Sequence, residues 1–560
     1  MTKILIIGLD GATFNLIKPW ATSGLLPNMS RLFREGAAGV LKSTVHPLSP
    51  PAWTSFMTGK NPGKHGIYDF VVHAPDRYGL VYTNGGLRRG KSLWKLLSEA
   101  GRQVIVVNVP MTYPPEPVNG VLVSGLDTPG AKAPFTYPPA LKEEIRREVK
   151  GYRVRDYPHN CDPATFLDQI WRLVDGRERL MHYLLRHHPW DFFMIVFNAT
   201  DLVQHAYWQY MDQAFPGITR PERIRFQNAI LDVYRRLDHL VGEVLQEYGR
   251  DALVFLMSDH GAGPAYKVVF INQWLSQEGF LTYAREEGAS RPTHWQLSLL
   301  KTLHRGIRRC LPPESIEWLV RRFPGLRQQV KGRLTFEEID WEKTRAYAFG
   351  RESASIFVNL KGRNPHGTVD PGAEYNALLE RLSQRLSELI DPDTGSPVVE
   401  RIYRRDEVYH GECLETAPDL LVVWKNHQYT CRPGYDDSRQ SVFASSLDHS
   451  EMSEISTLQK GGTHTPEGIL MAIGEGIRQG VEIDGSRLID LAPTFLYLQD
   501  VPIPRDMDGR VLADLFTEDV QRAHLESYSD GWQNGVAVER PYTAEEAEAV
   551  REHLEGLGYL

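Results

Sequence analysis

Cysteine is scarce in this sequence. Only four cysteines occur in 560 residues, they lie far apart, and no two share a paired spacing: Cys161, Cys310, Cys413 and Cys431. The sequence therefore indicates neither a disulfide framework nor a metal site built from thiolates. We expect the protein to occupy a reducing compartment.

Long apolar runs and a strong net charge are missing as well. No apolar run reaches the roughly 20 residues that span a bilayer, and the apolar run at residues 4–7 is too short for the core of a signal peptide. We therefore expect a cytoplasmic protein. The net charge of −8 and the pI near 6.2 give no reason to expect a nucleic acid as partner. With 42% hydrophobic and 24% charged residues, the chain has a globular composition and room for two or more structural units.

Three apolar runs each lead into side chains that can bind a metal ion. The runs and the side chains after them are residues 4–7 with Asp10, residues 192–197 with Asp201 and His205, and residues 252–257 with Asp259 and His260. Such runs are typical of buried parallel strands, whose carboxyl ends form the ligand-binding edge of an α/β sheet. Asp201 and His205 are four residues apart, a spacing that places both side chains on one face of a helix. Taken singly, these residues are compatible with turns, helix caps or surface histidines.

The segment from Pro47 to Gly66 carries a serine suited to binding an oxyanion. Ser49 is predicted to be the N-cap of a short helix, because two prolines follow it and Gly59 ends the apolar helical run. Free backbone N–H groups and the helix dipole at such a position attract phosphate. An ordinary helix cap is the alternative interpretation.

The rest of the chain alternates strand-like and helical patterns. Strands are predicted at residues 104–107, 120–123, 353–360 and 420–424, and helices from Asp162-Pro163 onward, from about 222 to 248, around 378–386, at 489–498 and at 544–556. Residues 461–468 are predicted to form a flexible loop that carries His464, and a lone loop histidine is usually exposed. This alternation predicts an α/β fold.

Residues 274–345 interrupt the alternation with short helices and are predicted to be an inserted cap. Between Lys301 and Arg333, nine basic residues stand against only Glu314 and Glu317. A solvated helical face, a lid for an anionic substrate and a peripheral membrane contact are the open interpretations. The predicted domains are a discontinuous catalytic core of residues 1–273 and 346–515, the basic helical cap of residues 274–345, and a helical tail of residues 516–560.

The candidate ligands supply oxygen and nitrogen atoms and no thiolate: Asp10, Ser49, Asp201, His205, Asp259, His260 and His464. This set suits zinc or manganese at two neighbouring positions. Two such ions about 4 Å apart clamp the attacking and leaving oxygens of a phosphoryl displacement. Contact with a metal would also lower the pKa of the Ser49 hydroxyl and make it a nucleophile.

These motifs resemble the alkaline phosphatase superfamily, and most closely its type I phosphodiesterase and nucleotide pyrophosphatase family. The matching motifs, between residue 3 and about residue 515, are Gly8-Leu9-Asp10-Gly11, Ser49 with Gly59 and His65-Gly66-Ile67, Asp201 with His205, Ser258-Asp259-His260-Gly261, and Gly462-Thr463-His464. The resemblance implies a doubly wound, mostly parallel sheet with an inserted cap.

The resemblance also implies roles for the matching residues. Its pattern assigns one ion to Asp201, His205 and His464, and the other ion to Asp10, Asp259 and His260. Ser49 would bind the second ion and form a covalent phosphoryl enzyme that water then attacks. His65 matches the pattern without being a ligand, and we interpret it as structural.

Some positions depart from related families. Many nucleotide pyrophosphatases have Thr and Asn where this chain has Ser49 and Phe70, so the resemblance does not carry a nucleotide substrate over to this chain. A sulfatase is disfavoured because its signature has Arg two residues after the motif proline, where Pro51 is followed here by Ala52-Trp53.

We therefore expect a two-metal hydrolase of phosphodiester or pyrophosphate bonds in a small phosphorylated substrate, with Zn²⁺ as the first choice of metal and Mn²⁺ as the second. The residues just after Ser49 are neutral, and Trp53 offers an apolar surface for the second ester group of a diester. Lys64 is a further expected substrate contact. A phosphomonoesterase, a phosphotransferase or a phosphomutase on the same scaffold is the alternative, and a non-catalytic anion-binding relative is another.

Overall fold

The structure, a computed structural model, describes residues 2–73, 78–154, 161–284, 339–349, 354–433, 441–447, 461–530 and 540–557. Residues 285–338 of the predicted basic cap lie outside the described residues, so the lid and the membrane contact stay predictions. The division of the chain into three domains likewise stays a prediction. No helix among the described residues is long and apolar enough to cross a bilayer.

Each predicted apolar run coincides with a described strand, and further strands lie between them. In chain order they are β1 (Lys3–Leu9), β2 (Ala37–Lys42), β3 (Val71–His73), β4 (Leu80–Tyr82), β5 (Val104–Val107), β6 (Gly120–Val123), β7 (Thr136–Tyr137), β8 (Phe192–Phe197), β9 (Ala252–Met257), β10 (Gly261–Pro264), β11 (Lys267–Phe270), β12 (Ala346–Phe349), β13 (Ala354–Val358), β14 (Val399–Arg404), β15 (Leu420–Trp424), β16 (Tyr429–Arg432), β17 (Phe443–Ser445), β18 (Gly462–Thr465), β19 (Glu467–Ile473), β20 (Val481–Glu482), β21 (Ser486–Arg487), β22 (Ile503–Pro504) and β23 (Tyr528–Ser529).

The described helices alternate with these strands. In chain order they are α1 (Phe14–Thr22), α2 (Pro27–Glu35), α3 (Ser49–Thr58), α4 (Pro62–His65), α5 (Leu93–Glu99), α6 (Leu141–Glu148), α7 (Pro163–His187), α8 (Ala199–Met211), α9 (Arg220–Phe226), α10 (Ala229–Tyr248), α11 (Ile271–Gln277), α12 (Ala373–Ser387), α13 (Arg405–Val408), α14 (Leu491–Leu498), α15 (Glu518–Ala523) and α16 (Ala544–Leu557). The Asp162 side chain caps α7 by accepting the backbone N–H groups of Ala164 and Thr165, as the Asp-Pro pair predicts.

The central sheet has the strand order β20-β2-β19-β9-β1-β8-β5-β6-β7, and β21 also pairs with β2. The five strands from β9 to β6 run parallel, whereas β19 runs antiparallel to both of its neighbours. Alternate residues of β1 enter different cores, with Leu5 and Ile7 on one face and Ile4 and Ile6 on the other. Helices cover both faces, α7, α8 and α10 on the first and α3, α5 and α14 on the second. The predicted α/β fold with a doubly wound, mostly parallel sheet is confirmed.

The two strands predicted at residues 353–360 and 420–424 belong to a separate sheet together with two strands that were not predicted, β12 and β14. β12, β13, β15 and β14 pair antiparallel in that order, and α12 packs on them through Leu378, Leu379, Leu382 and Leu386. Trp274 and Phe280, which lie in the predicted cap, belong to the same core. The strand predictions are correct here, but apolar pattern alone does not tell which sheet a strand joins.

Two predicted elements differ from the structure. The helix predicted from about residue 222 to 248 is divided into α9 and α10, with a break at Gln227 and Asn228. The predicted flexible loop at residues 461–468 is instead strand β18, which pairs antiparallel with β10 and then leads into β19. Every residue of β18 is buried, so the prediction of an exposed loop was wrong.

Candidate active site

The seven candidate ligands converge beyond one edge of the central sheet. Asp10 directly follows β1, Asp201 and His205 lie in the first two turns of α8 after β8, and Asp259 and His260 directly follow β9. Because β8, β1 and β9 are adjacent and parallel, their carboxyl ends deliver these side chains to one place. β18 adds His464, and α3 adds Ser49. All seven side chains belong to residues that are at most 5% exposed.

The first cluster consists of Asp201, His205 and His464. Oδ1 of Asp201 is 3.2 Å from Nε2 of each histidine, and the two Nε2 atoms are 2.9 Å apart. Nδ1 of His205 lies 2.8 Å from the Gly462 carbonyl oxygen. Since a carbonyl only accepts, Nδ1 carries the proton, and in the neutral ring Nε2 presents a lone pair to the cluster. Burial raises the pKa of Asp201, but the two facing histidines outweigh burial and hold that pKa well below its usual range.

The second cluster consists of Asp10, Asp259 and His260, and Ser49 joins it. Nε2 of His260 is 3.5 Å from Oδ1 of Asp10 and 3.4 Å from Oδ2 of Asp259. The Ser49 hydroxyl oxygen is 3.4 Å from the same Nε2 and 3.5 Å from Oδ1 of Asp10. Nδ1 of His260 donates to the Gly261 carbonyl over 3.0 Å, so the neutral ring again directs a lone pair into the cluster.

Burial and like charges shift the pKa values of the second cluster. Burial, aided by the charges of Asp259 and Asp201, raises the pKa of Asp10 well above its usual range. Burial, aided by Asp201, raises the pKa of Asp259 to about 7. Burial, aided by His464, lowers the pKa of His260 to about 3. Three carboxyl groups this close repel one another when ionised, and a bound divalent cation would reverse this by favouring the charged forms.

Both clusters fit a divalent cation. Neither Asp10 nor Asp259 forms an ion pair with a lysine or arginine of the described residues, and Oδ2 of Asp259 accepts no hydrogen bond from them. Ligand atoms on one tetrahedral zinc ion lie about 3.3 Å apart, close to the separations within the two clusters. The ligand atoms of Asp10, Asp259 and His260 lie within 4.8 Å of one another, as do those of Asp201, His260 and His464. His260 therefore borders both positions.

Helix α3 carries Ser49 and a residue that fixes Asp10. Leu48 is the N-cap, so Ser49 is the first residue of the helix and not its cap as predicted. Gly59 ends the helix with a φ of 64°, as predicted. One turn after Ser49, the indole N–H of Trp53 donates to Oδ2 of Asp10 over 3.2 Å. The ring of Trp53 is fully buried and packs in the core; a contact between Trp53 and the substrate stays a prediction.

Lys64 and His65 are engaged with other parts of the protein. Nζ of Lys64 is 2.5 Å from Oδ1 of Asp508 and donates to the Asp506 carbonyl over 2.9 Å. A substrate contact for Lys64 stays a prediction. Nε2 of the buried His65 lies 2.9 Å from the Ser55 hydroxyl, and its Nδ1 accepts the Ile67 backbone N–H over 3.2 Å. These contacts agree with the structural role expected for His65.

Three residues support the site in ways that the sequence did not predict: Trp53 donates to Asp10, Gly11 donates to Asp259, and Gln204 donates to Gly11. The spacing of four residues between Ser49 and Trp53 was a usable signal, because it places both side chains on one helix face. Gly11 adopts a φ of +68°, which its position after Asp10 did not reveal. Gln204, between Asp201 and His205, is 1% exposed, and a buried amide has no local signature.

The model of the family described as type I phosphodiesterase / nucleotide pyrophosphatase matches residues 4–465. Among solved structures, human ectonucleotide pyrophosphatase / phosphodiesterase 5 is similar with 11% identity and a TM-score of 0.48, over 92% of this chain and 100% of that chain. The inactive murine protein of the same name in complex with AMP has 10% identity and a TM-score of 0.48, over 92% and 100% of the two chains. No curated protein matches.

Proposed function

Because this chain belongs to the type I phosphodiesterase / nucleotide pyrophosphatase family, whose members hydrolyse phosphoesters, we propose that it cleaves a phosphodiester or pyrophosphate bond with two divalent metal ions and a covalent intermediate on Ser49. The observation that carries the proposal is the position of the Ser49 hydroxyl. It contacts Asp10 and His260 of the second cluster, and His260 also borders the first cluster.

Asp201, His205 and His464 would hold one ion, and Asp10, Asp259 and His260 the other. Zn²⁺ suits these nitrogen and oxygen ligands, and Mn²⁺ is the alternative. When bound, the two ions would neutralise charge on the attacking and leaving oxygens of an in-line displacement. The ligands are oriented in advance, because the backbone carbonyls of Gly462 and Gly261 fix the ring orientations of His205 and His260.

Ser49 would act as the nucleophile. Its oxygen attacks phosphorus, the bond from phosphorus to the leaving oxygen breaks, and the leaving oxygen takes up a proton in exchange for the one that the hydroxyl loses; Ser49 then carries the phosphoryl group with its remaining substituent. Water then attacks the same phosphorus, the bond from phosphorus to the Ser49 oxygen breaks, and one proton of the water restores the hydroxyl as the phosphorylated product leaves. The hydroxyl donates to Oδ1 of Asp10 over 3.5 Å, which directs its proton away from the substrate, and Nε2 of His260 lies 3.4 Å from the hydroxyl oxygen.

The first turn of α3 would add the positive end of the helix dipole beside the reacting phosphate. It adds few N–H donors, because Pro50 and Pro51 have no N–H and the Ala52 N–H donates to the Leu48 carbonyl.

The experiment is chelation followed by metal restoration, with a serine variant and a matched control. We expect a strong chelator to abolish hydrolysis and Zn²⁺ or Mn²⁺ to restore it. Ser49→Ala should remove turnover with nearly unchanged metal content, because the hydroxyl is one ligand among several. Ser55 lies on the same helix but contacts His65, so the control variant Ser55→Ala should retain the activity of the wild type.

Three results would contradict the proposal. Full activity of the metal-free protein would exclude the two-metal reaction. Normal turnover by Ser49→Ala would exclude the covalent intermediate on this residue. Loss of both metals from Ser49→Ala would assign Ser49 a structural role.

A further inference from the structure

A buried glutamine lies between the two ligands that α8 contributes. Gln204 follows Asp201 by three residues, so both side chains share a face of the helix. Its Nε2 donates to the Gly11 carbonyl over 2.8 Å, and its Oε1 accepts the Tyr234 hydroxyl over 3.1 Å. Because the Tyr234 hydroxyl donates to the oxygen of the amide, the NH₂ end faces Gly11.

Gly11 connects this amide to the second cluster. The backbone N–H of Gly11 donates to Oδ1 of Asp259 over 3.2 Å. A Cβ atom added at Gly11 would lie 3.1 Å from Oδ1 of Asp201 and 3.3 Å from Cε1 of His260. The turn after β1 therefore fits tightly between the two clusters, and a small displacement of Gly11 would change the position of ligands in both.

We propose that Gln204 is a positioning residue for the metal site, which holds the turn at Asp10 and Gly11 against α8 and so sets the spacing of the two clusters. The inference rests on the proposed two-metal function. Two hydrogen bonds, from Gln204 to Gly11 and from Gly11 to Asp259, connect three segments that each carry candidate ligands: α8, the turn after β1, and the turn after β9. Hydrogen bonds that orient metal ligands typically change metal affinity 10- to 100-fold when they are removed.

A purely structural glutamine would behave differently. Such a residue would stabilise the metal-free and the metal-loaded protein equally, and its loss would leave the metal release rate unchanged. Gln499 provides the matched control. It is fully buried, and its Nε2 donates to the carbonyl of Thr2, just before β1, at the opposite end of that strand from Gly11.

The experiment compares Gln204→Met with Gln499→Met, because both substitutions remove a buried amide that donates to a backbone carbonyl. The zinc-loaded proteins are mixed with a chelating indicator to measure zinc release, and thermal unfolding is recorded with and without zinc. We expect Gln204→Met to release zinc at least about 10-fold faster than the wild type and to gain less thermal stability from zinc. Gln499→Met should lower the melting temperature of both forms and keep the wild-type release rate.

Tyr234→Phe is the second variant, since it removes one hydroxyl and keeps the volume of the ring. We expect faster zinc release from this variant also, because Gln204 loses the donor that orients its amide. Equal release rates for wild type, Gln204→Met and Tyr234→Phe would overturn the inference and leave the proposed hydrolysis intact. A wild type that retains zinc but hydrolyses no phosphoester would overturn the proposed function alone, and a wild type that binds no metal would overturn both.

Discussion

The tight space around Gly11 predicts a large and specific effect of adding one methyl group. Gly11 has a φ of +68°, and the Cβ of an alanine would lie 3.1 Å from Asp201 and 3.3 Å from both Gln204 and His260. The left-handed backbone costs an alanine about 1–2 kcal/mol, and overpacking a buried site adds about 1–3 kcal/mol. We therefore expect Gly11→Ala to lower the free energy of unfolding by about 2–5 kcal/mol and to weaken zinc binding.

Gly24→Ala separates the two contributions. Gly24 has a similar φ of +77°, but no described atom lies within 4 Å of the Cβ position. Gly24→Ala should therefore cost only the backbone part, about 1–2 kcal/mol, and leave zinc affinity and turnover unchanged. Urea unfolding of both metal-free variants and zinc titration of the folded proteins measure these quantities. If Gly11→Ala matched Gly24→Ala in both measurements, the contacts between Gly11 and the two clusters would not be significant.

Three other measurements concern the pH dependence, Lys64 and the choice of substrate. Burial lowers the pKa of His46 to about 4, so protonation of this residue favours the unfolded state. Stability should therefore fall as the pH is lowered from about 6.5 to 4, by at most about 1.4 kcal/mol per pH unit for this group. The melting temperature of His46→Asn should depend less on pH in this range, and an unchanged pH dependence would contradict this assignment. Lys64→Met should lower stability because it removes the ammonium group that Asp508 binds. A higher KM of the folded variant would support the predicted substrate contact, and an unchanged KM would contradict it. We expect a higher kcat/KM for bis-(4-nitrophenyl) phosphate than for 4-nitrophenyl phosphate. The described contacts of the Ser49 hydroxyl are a carboxylate and an imidazole, and they include no cation for the second charge of a monoester. A preference for the monoester would contradict this prediction.

The sequence was most informative where strands end. Apolar runs identify buried strands, and the rule that parallel strands bind ligands at their carboxyl ends then brings Asp10, Asp201 and Asp259 together. Ser49 was placed within one residue of its position in the helix, which is the usual uncertainty at a helix end. These predictions succeeded because each depends on local pattern and one general property of α/β sheets.

The sequence was least informative where pairing is non-local. The segment around His464 has no apolar alternation, and its strand exists because it pairs with Gly261–Pro264, about 200 residues earlier. Trp53 is an apolar residue whose polar atom contacts Asp10, and the contact became visible only once β1 and α3 were packed together. The sequence predicts β13 and β15 but neither β14 nor the separate sheet that these strands form, because register and partner depend on the whole fold.

The origin of the ligands has a consequence for the order of events during synthesis. The ligands of the first cluster come from α8 and from β18, so a nascent chain that ends before His464 lacks one member of this cluster. Until β18 pairs with β10, the carbonyl of Gly462 is also not in place to orient His205. On the two-metal proposal, stable capture of an ion at the first cluster would therefore have to wait until the amino-terminal and carboxyl-terminal parts of the chain have come together.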